Sequence, residues 1–225
     1  MTPFADIFAR AAERKGGVEA LEAMLATTRP RPPADIARMR DDRILAEMTR
    51  WIFYAGFTWK VIDDKWGAFE EAFWRFDPNA CAFMTDDQFG TLMQNRGIVR
   101  NGAKIKAVQA NGKFLLDLEA EHGSAARFFA DWPDSDHVGL LDVLKKRASH
   151  LGGDAAGRFL RAIGKPAFIT TRDVVAALVR EGVVSRAPGG KRDLALVQAA
   201  FNAWSTESGR DLTAISRVLA MSIGE

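Results

Sequence analysis

A short loop between two apolar-periodic segments carries the residue types that can bind phosphate. The loop covers residues 94–106, and its glycines and cations are Gly97, Arg100, Gly102, Lys104 and Lys106. Glycine lets the backbone turn sharply and approach another molecule closely. The first amides of the following helix, together with the cations, would attract an anion. The pattern predicts a helix-hairpin-helix unit that holds a nucleic-acid backbone through its phosphates without reading its sequence.

Three aromatic side chains close to this loop in sequence have the types and spacing of a pocket for a planar ligand. Trp51 and Tyr54 lie three positions apart on one predicted helix, so their rings share a face of that helix. Trp59 begins the next predicted helix. Large aromatics also bury readily, so the alternative for Trp51 is an ordinary core position. The hydroxyl of Tyr54 needs a partner, which favours a pocket wall.

Acidic side chains near these rings are the candidates for proton transfer. Glu47 lies one turn before Trp51 on the same predicted face, and it is a weak candidate for a displaced catalytic carboxylate. Asp63 and Asp64 follow Trp59 by one turn. The alternative for each of these carboxylates is a solvated or ion-paired surface group.

The composition bounds the class of protein. The chain has 225 residues, of which 48% are hydrophobic and 27% charged, and its formal net charge is only +2. This balance indicates a soluble globular protein without a basic coat, so nucleic-acid affinity must come from local clusters of cations. If the cations of residues 94–106 scatter instead, they form an ordinary solvated face, and Gly97 merely ends a helix.

The cysteine count and the N-terminal residues predict the cellular setting. The single cysteine, Cys81, excludes an internal disulfide and suits a reducing cytoplasm. Residues 1–6 lack the pattern of a signal peptide, and no apolar run is long enough to span a bilayer. We therefore expect a cytoplasmic monomer that has no membrane partner.

Apolar residues recur at helical spacing along most of the chain. One continuous helix is predicted from residue 33 to residue 55, and Thr58, Thr85 and Asn101 are predicted caps of later helices. No alternating apolar run is longer than residues 167–169, so a sheet is not expected. The sequence predicts an all-α fold. Residues 1–33 are predicted to form an N-terminal helical extension that ends in a proline-rich linker.

A resemblance to a known family becomes visible between residues 55 and 108. The residues that carry it are Ala55, Gly56, Phe57, Thr58, Trp59, Phe69, Phe73, Phe76, Asp77, Pro78, Met84, Gly97, Ile98, Val99, Arg100, Lys104 and Ile105. In type and spacing they resemble the DNA-3-methyladenine glycosylase I family, which belongs to the helix-hairpin-helix superfamily of base-excision repair enzymes. The resemblance implies a two-lobed helical bundle with a base pocket in its cleft, and it implies that Trp59 stacks on the base.

A weaker similarity covers residues 144–164. There, residues 150–158 look like a second hairpin of the wider superfamily, which implies that Gly153 and Arg158 also contact DNA. The resemblance thus implies one glycosylase-like domain over residues 34–225, with two lobes and with hairpins at residues 94–106 and 150–158.

The chain departs from the family at its metal site. The family's structural zinc needs cysteines and histidines near both ends, whereas the chain offers Cys81, His122, His137 and His150 at spacings that suit no zinc cluster. We therefore expect neither a metal nor another cofactor.

A second departure concerns the catalytic carboxylate. The family's pocket glutamate falls at Trp51, and an indole cannot accept a proton. The wider superfamily uses an aspartate where this chain has Thr170 or Thr171, and Asp173 follows too late and serves a helix N-terminus. No catalytic residue is therefore assigned beyond the weak candidate Glu47.

The resemblance implies a DNA repair glycosylase that acts on double-stranded DNA containing damaged bases. It would flip out an alkylated base of the 3-methyladenine type and hydrolyse the N-glycosidic bond. No lysine can be assigned as a Schiff-base nucleophile, so water would be the nucleophile and the enzyme monofunctional. Two alternatives stay open: a non-catalytic DNA- or lesion-binding protein that has lost the carboxylate, and an enzyme for a different damaged base, because Trp51 reshapes the pocket for stacking.

Overall fold

The computed structural model describes residues 2–224, and its regular elements in that range are helices. The α-helices are α1 (Phe4–Arg14), α2 (Val18–Ala26), α3 (Pro33–Ile36), α4 (Asp41–Tyr54), α5 (Trp59–Asp64), α6 (Trp66–Ala72), α7 (Pro78–Ala82), α8 (Asp86–Gln94), α9 (Gly102–His122), α10 (Ala125–Asp131), α11 (His137–Arg147), α12 (Asp154–Ala162), α13 (Arg172–Arg180), α14 (Lys191–Ser208) and α15 (Leu212–Met221). Short 3-10 turns occur at Trp74–Phe76 and Asp134–Asp136. Residues 2–224 contain no strand, so the all-α prediction is confirmed.

The described chain forms two compact units, in agreement with the predicted two-lobed class. One unit consists of residues 2–31, 133–140 and 164–224, and the other of residues 32–132 and 141–163. The first change of unit falls after Arg31, inside the predicted proline-rich linker. The division into an extension over residues 1–33 and one domain over residues 34–225 stays a prediction.

The unit that contains both chain ends is organised around buried aromatic rings. Phe168 and Phe201 stack with their ring centroids 4.2 Å apart, and Trp204 meets Phe201 edge-on at 5.8 Å. Trp204 is fully buried, and its indole N–H donates to the Thr2 carbonyl at 3.0 Å. Because Phe4 packs into the same core, helix α1 joins α13, α14 and α15 in one cluster.

The other unit is built around α4 and α9. Helix α4 is amphipathic, and its buried face carries Ile44, Leu45, Met48, Ile52 and Phe53. The ring of Phe53 meets the ring of Phe69 at 4.8 Å, which ties α4 to the aromatic stripe of α6 and the turn after it. The apolar periodicity of the sequence therefore marks the face that is buried.

Helices α7 and α9 approach each other closely at Gly112. A Cβ atom at this position would lie 2.9 Å from the backbone nitrogen of Ala82, 2.9 Å from the carbonyl oxygen of Pro78 and 3.2 Å from the Cβ of Cys81. Contacts under 3.0 Å with backbone atoms cannot be relieved by rotating a side chain. The crossing therefore requires glycine, although Gly112 lies in the middle of a long helix.

Three consecutive non-glycine residues adopt left-handed backbone angles between α6 and α7. The φ angles are 50° at Trp74, 55° at Arg75 and 60° at Phe76. Each such residue costs roughly 1–2 kcal/mol relative to the right-handed form. The turn is held by the fully buried ring of Phe76 and by Arg43, which donates to the Arg75 carbonyl at 2.7 Å. It leads directly into Asp77, whose side chain caps α7.

Two of the three predicted caps are confirmed. Thr85 and Gln88 form a capping box at the start of α8, with each side chain bonded to the other's backbone N–H. Asn101 caps α9 by accepting from the Lys104 amide at 3.1 Å. The prediction for Thr58 is wrong in its bonding: Thr58 occupies the N-cap position of α5, but its side chain makes no cap bond.

The predicted continuous helix over residues 33–55 is also wrong, because it is broken at residues 37–40 into α3 and α4. The apolar spacing continues across the break, since Ile36 and Ile44 are both buried. A long-range contact lies directly after the break. Asp41, the first residue of α4, accepts hydrogen bonds at 3.3 Å from the amides of Ala125 and Ala126, which open α10. Periodicity in the sequence does not report such a contact.

Candidate functional site

The structure brings the three predicted pocket aromatics together in a ring cluster, defined here as Trp51, Tyr54 and Trp59. Tyr54 and Trp59 are stacked, with centroids 5.1 Å apart and planes at 20°. Trp51 meets both rings edge-on, at 5.1 Å from Tyr54 and 5.4 Å from Trp59. Trp59 remains 49% exposed, whereas Tyr54 is buried. The cluster therefore presents a half-exposed indole that is stacked on a buried tyrosine ring.

A chain of polar contacts at the Tyr54 hydroxyl holds the ring cluster in position. The Tyr54 hydroxyl donates to Asp63 Oδ1 at 2.5 Å, and the Arg50 guanidinium lies 3.6 Å from the same oxygen. Burial and the Asp63 carboxylate raise the pKa of Tyr54 to about 12, so the phenol is neutral at physiological pH. Arg50 Nε in turn lies 4.0 Å from the Glu47 carboxylate. Asp63 thus orients the ring on which Trp59 stacks.

A guanidinium lies over the two indoles. The Cζ atom of Arg158, in α12, is 5.8 Å from the ring centroid of Trp51 and 5.7 Å from that of Trp59. These are cation–π distances. Arg158 has no ion-pair partner among residues 2–224. The positive charge of Arg158 therefore lies against the two indoles and is not neutralised by a carboxylate of the described residues.

The indole N–H of Trp51 is a buried donor. Its Nε1 atom is shielded from solvent and makes no hydrogen bond within the described residues 2–224. A buried unpaired donor costs about 1–3 kcal/mol, and such groups in native proteins call for an explanation.

The predicted hairpin at residues 94–106 forms as a loop between α8 and α9. The Gly97 amide is bonded within the loop, to Asn95 Oδ1 at 2.8 Å. Gly97 and Gly102 are both partly exposed, so neither is sealed in the interior. A Cβ at Gly97 would lie 3.0 Å from the Cβ of Ala68, so a larger residue there would be tightly packed.

Lys104 points inward rather than toward solvent. Its residue is only 9% exposed, and its ammonium donates to the carbonyls of Phe53, at 3.4 Å, and Ala55. It also lies 4.8 Å from the ring centroid of Phe57. Burial lowers the pKa of this ammonium. A cation at the C-terminal end of α4 satisfies carbonyls that the helix leaves open, so Lys104 holds the turn that leads to Trp59.

Replacing Lys104 with methionine should lower the free energy of unfolding by about 2 kcal/mol, because two carbonyl groups lose a charged donor. Denaturant unfolding measures this change. The matched control is Lys106→Met: Lys106 lies on the same helix, but its ammonium is exposed and 3.6 Å from Asp86, and we expect a change under about 0.5 kcal/mol. Equal effects of the two substitutions would contradict the inward role of Lys104.

The other predicted DNA-binding residues lie at the surface of the same unit. Arg100 and Lys106 are exposed, and Lys106 also lies 4.5 Å from the Phe89 ring centroid. In the stretch of residues 150–158, Gly153 is exposed with φ 56° and precedes the first turn of α12. The assignment of these residues to DNA binding stays a prediction, as do the roles of Lys104 and Arg158 in it.

The two places where related enzymes would carry a carboxylate hold other groups. Trp51 is part of the ring cluster. Thr171 caps α13 by accepting from the Val174 amide at 3.5 Å, and Asp173 lies in the first turn of that helix. The catalytic role of Glu47 stays a prediction.

A metal-binding cluster and a membrane-spanning helix are both absent from the described residues. Residues 2–224 contain no group of three His, Cys, Asp or Glu side chains that could hold a metal ion. Cys81 is buried, and burial raises its pKa to about 12, so it is a protonated thiol. None of the described helices combines the length and the apolar composition needed to cross a bilayer.

Asp63 and Arg158 join the ring cluster through contacts that sequence reasoning missed. Arg158 was predicted to contact DNA, but its position over Trp51 spans 107 positions of sequence, and no local pattern signals it. The bond from Tyr54 to Asp63 crosses the turn between α4 and α5. The need of the chain's one tyrosine hydroxyl for a partner was the available signal.

The fold is a helical DNA glycosylase fold of the helix-hairpin-helix type. Three features indicate this class: the hairpin, the exposed indole stacked on Tyr54, and the absence of strands between residues 2 and 224. Residues 37–147 match the methyladenine glycosylase family model. The predicted resemblance to the DNA-3-methyladenine glycosylase I family is therefore confirmed.

Individual relatives agree with this assignment. The DNA-3-methyladenine glycosylase of Haemophilus influenzae is 38% identical over 116 residues, covering 51% of this chain and 62% of that protein. DNA-3-methyladenine glycosylase 1 of Escherichia coli is 32% identical over 65 residues, covering 29% of this chain and 35% of that protein. This chain thus spans less than two thirds of either curated relative.

A solved structure also matches. It is a crystal structure of a variant 3-methyladenine DNA glycosylase I in complex with 3-methyladenine. It is similar to this chain with a TM-score of 0.51 and 25% sequence identity, over 56% of this chain and 77% of that one.

Proposed function

We propose that the protein is a monofunctional DNA glycosylase that removes alkylated bases of the 3-methyladenine type from double-stranded DNA. The observation that carries the proposal is the half-exposed indole of Trp59, stacked on Tyr54 within a chain that resembles this family. A flipped base would stack on the exposed part of this indole. The protein would act as a monomer, without a metal.

Recognition begins with the cost of flipping. A base must leave the stack, which costs a few kcal/mol and least for a damaged base. N3-alkylated adenine is cationic, so an indole face attracts it by roughly 0.5–2 kcal/mol beyond ordinary stacking. The hydrogen bond from Tyr54 to Asp63 holds the tyrosine ring that stacks on Trp59 in place. Less side-chain entropy is then lost when the nucleobase binds.

The chemistry proceeds without an assigned general base. The bond between the base nitrogen and C1′ breaks, its electron pair stays with the base, and water adds to C1′ and loses a proton. The alkylated base leaves as a neutral molecule, so it is an activated leaving group. A missing general base then costs about 10²- to 10⁴-fold in rate, and binding of the flipped state supplies much of the acceleration.

The DNA backbone would be held by the two glycine-containing loops. Gly97 and Gly102, with the exposed cations Arg100 and Lys106, would contact one run of phosphates, and Gly153 would contact another. Contacts of this kind bind DNA of any sequence and weaken steeply with salt.

A release assay tests the proposal. DNA methylated with dimethyl sulfate is incubated with the protein, and free bases are separated by chromatography. We expect release of 3-methyladenine, and binding of a duplex that weakens between 50 and 200 mM salt. Absence of both release and binding at low salt would contradict the proposal.

A second candidate is a non-catalytic protein that binds DNA lesions. It is favoured by one observation: Asp63, the carboxylate bonded to the ring cluster, is already engaged by Tyr54 and Arg50. The release assay separates the two functions, since tight binding of methylated DNA without release of any base would support the second.

A further inference from the structure

We propose that Arg158 sets the affinity threshold of the base site: its guanidinium covers the indole face that a flipped base would use, and a base binds only by displacing it. This inference deepens the proposed function and rests on it, because the base would bind at the same ring cluster. It follows from what covers each face of the Trp59 indole.

The Trp59 indole has a neighbour on both of its faces. Tyr54 stacks on one face, with the ring centroids 5.1 Å apart and the planes at 20°. The Cζ atom of Arg158 lies over the same indole, 5.7 Å from its centroid, and 5.8 Å from the centroid of Trp51. Because Tyr54 covers one face of Trp59, the guanidinium covers part of the other. The face that remains for a base is therefore already occupied by a side chain of the protein.

A guanidinium and an alkylated adenine offer an indole the same interaction. Each is a flat cation whose charge is spread over several nitrogen atoms, and each is attracted to the face of an aromatic ring. Arg158 thus makes the contact that the cationic base would make. Two cations at one face would repel each other. The guanidinium and the base therefore occupy the face alternately, and the base takes over the attraction that the indoles offer to positive charge.

A carboxylate that can receive the displaced guanidinium lies on the same helix. Asp154 precedes Arg158 by four positions in α12, which places the two side chains next to each other on the helix surface. Asp154 is exposed and has no ion-pair partner among residues 2–224. The exchange then needs only a change of side-chain rotamer in Arg158, without movement of the helix.

This competition affects which bases stay bound. Only the fraction of molecules with an uncovered indole can bind a base, so the apparent affinity for every base falls by the same factor. An unmodified base gains only ordinary stacking at the indole and returns to the DNA helix. A cationic base regains at the indole the cation–π attraction that Arg158 gives up. Arg158 thereby raises the threshold for binding above what an unmodified base provides.

Arg158→Met gives the first test. The probe is free 3-methyladenine, which is titrated into the protein without DNA and followed by calorimetry. The variant should bind it about 5- to 30-fold more tightly than the wild-type protein, because the covering cation is gone. Arg127→Met is the matched control: Arg127 is exposed on α10 of the same unit, and its replacement should leave this affinity unchanged.

Asp154→Asn tests the position that receives the guanidinium. Without this carboxylate the uncovered state loses an ion pair between neighbouring turns, so 3-methyladenine should bind about twofold more weakly. In the Arg158→Met background the same substitution should have no effect, because the side chain that moves is absent. An effect of Asp154→Asn that is equal in both backgrounds would contradict the exchange.

A measurement on the wild-type protein does not depend on the folding of any variant. The Nε–H resonance of Arg158 is identified in spectra of isotope-labelled protein by its loss in Arg158→Lys. Ring currents of the two indoles should shift this resonance away from the position of an exposed arginine. Saturating 3-methyladenine should return it to that position, because the guanidinium leaves the rings.

Three results would overturn this inference: equal or weaker binding of 3-methyladenine by Arg158→Met, binding by neither protein, and an Arg158 resonance that keeps its shift at saturation. The release assay judges the proposed function separately. Release of 3-methyladenine from methylated DNA would leave that function intact in each of these cases, whereas absence of release and of DNA binding would overturn both.

Discussion

Replacing Trp59 with alanine is expected to slow release of 3-methyladenine about 10²- to 10³-fold. Stacking of a base on an aromatic side chain contributes about 1–3 kcal/mol, and a cationic base adds up to about 2 kcal/mol on an indole. About 3–4 kcal/mol of lost stabilisation corresponds to this range of rates. Single-turnover release from methylated DNA measures the effect.

The fold should survive this substitution. Trp59 is 49% exposed and begins a short helix, so its side chain contributes little to the core. The control is Trp59→Phe, which keeps a stacking face and should retain activity within about tenfold. A Trp59→Ala variant with unchanged melting temperature and unchanged release would show that the base does not stack at this position.

Replacing Gly112 with alanine is expected to lower the free energy of unfolding by about 3 kcal/mol. The added methyl group would lie 2.9 Å from backbone atoms of Ala82 and Pro78, so helices α7 and α9 must separate. Overpacking of this kind usually costs about 1–3 kcal/mol, and the backbone contacts place this case at the upper end. The melting temperature should fall by roughly 10 °C in a chain of this size.

Gly90 provides the matched control for Gly112. It also lies inside a helix, α8, but a Cβ built there has no neighbour within 4 Å. Gly90→Ala should therefore stabilise the protein by up to about 1 kcal/mol through helix propensity alone. If both substitutions had the same sign, the close approach of α7 and α9 would be contradicted.

Local rules in the sequence predicted the parts of the fold that depend on neighbouring residues. The apolar spacing marked the buried face of α4, and the residue types at Thr85 and Asn101 predicted their caps. These features depend on contacts within one or two turns of a helix. Trp51, Tyr54 and Trp59 are close enough in sequence for their grouping to be predicted as well.

Features that depend on distant residues could not be predicted in this way. Where the predicted helix is interrupted, Asp41 accepts hydrogen bonds from Ala125 and Ala126, which lie more than 80 positions away. Lys104 is of a residue type that binds phosphate, but its side chain points to the C-terminal end of α4. Carbonyl groups accept its hydrogen bonds there. A list of residue types near a loop does not reveal which cations are already engaged inside the protein.

The inward orientation of Lys104 has a consequence for how the protein would position a lesion in DNA. Lys104 lies in the first turn of α9, and its ammonium donates to carbonyls that precede Trp59. The hairpin and the Trp59 indole are therefore rigidly linked. Under the proposed function, the distance between a phosphate bound at the hairpin and the flipped nucleotide would then be fixed by the protein. A lesion one step along the strand would not reach Trp59, and the complex would have to shift by one whole nucleotide.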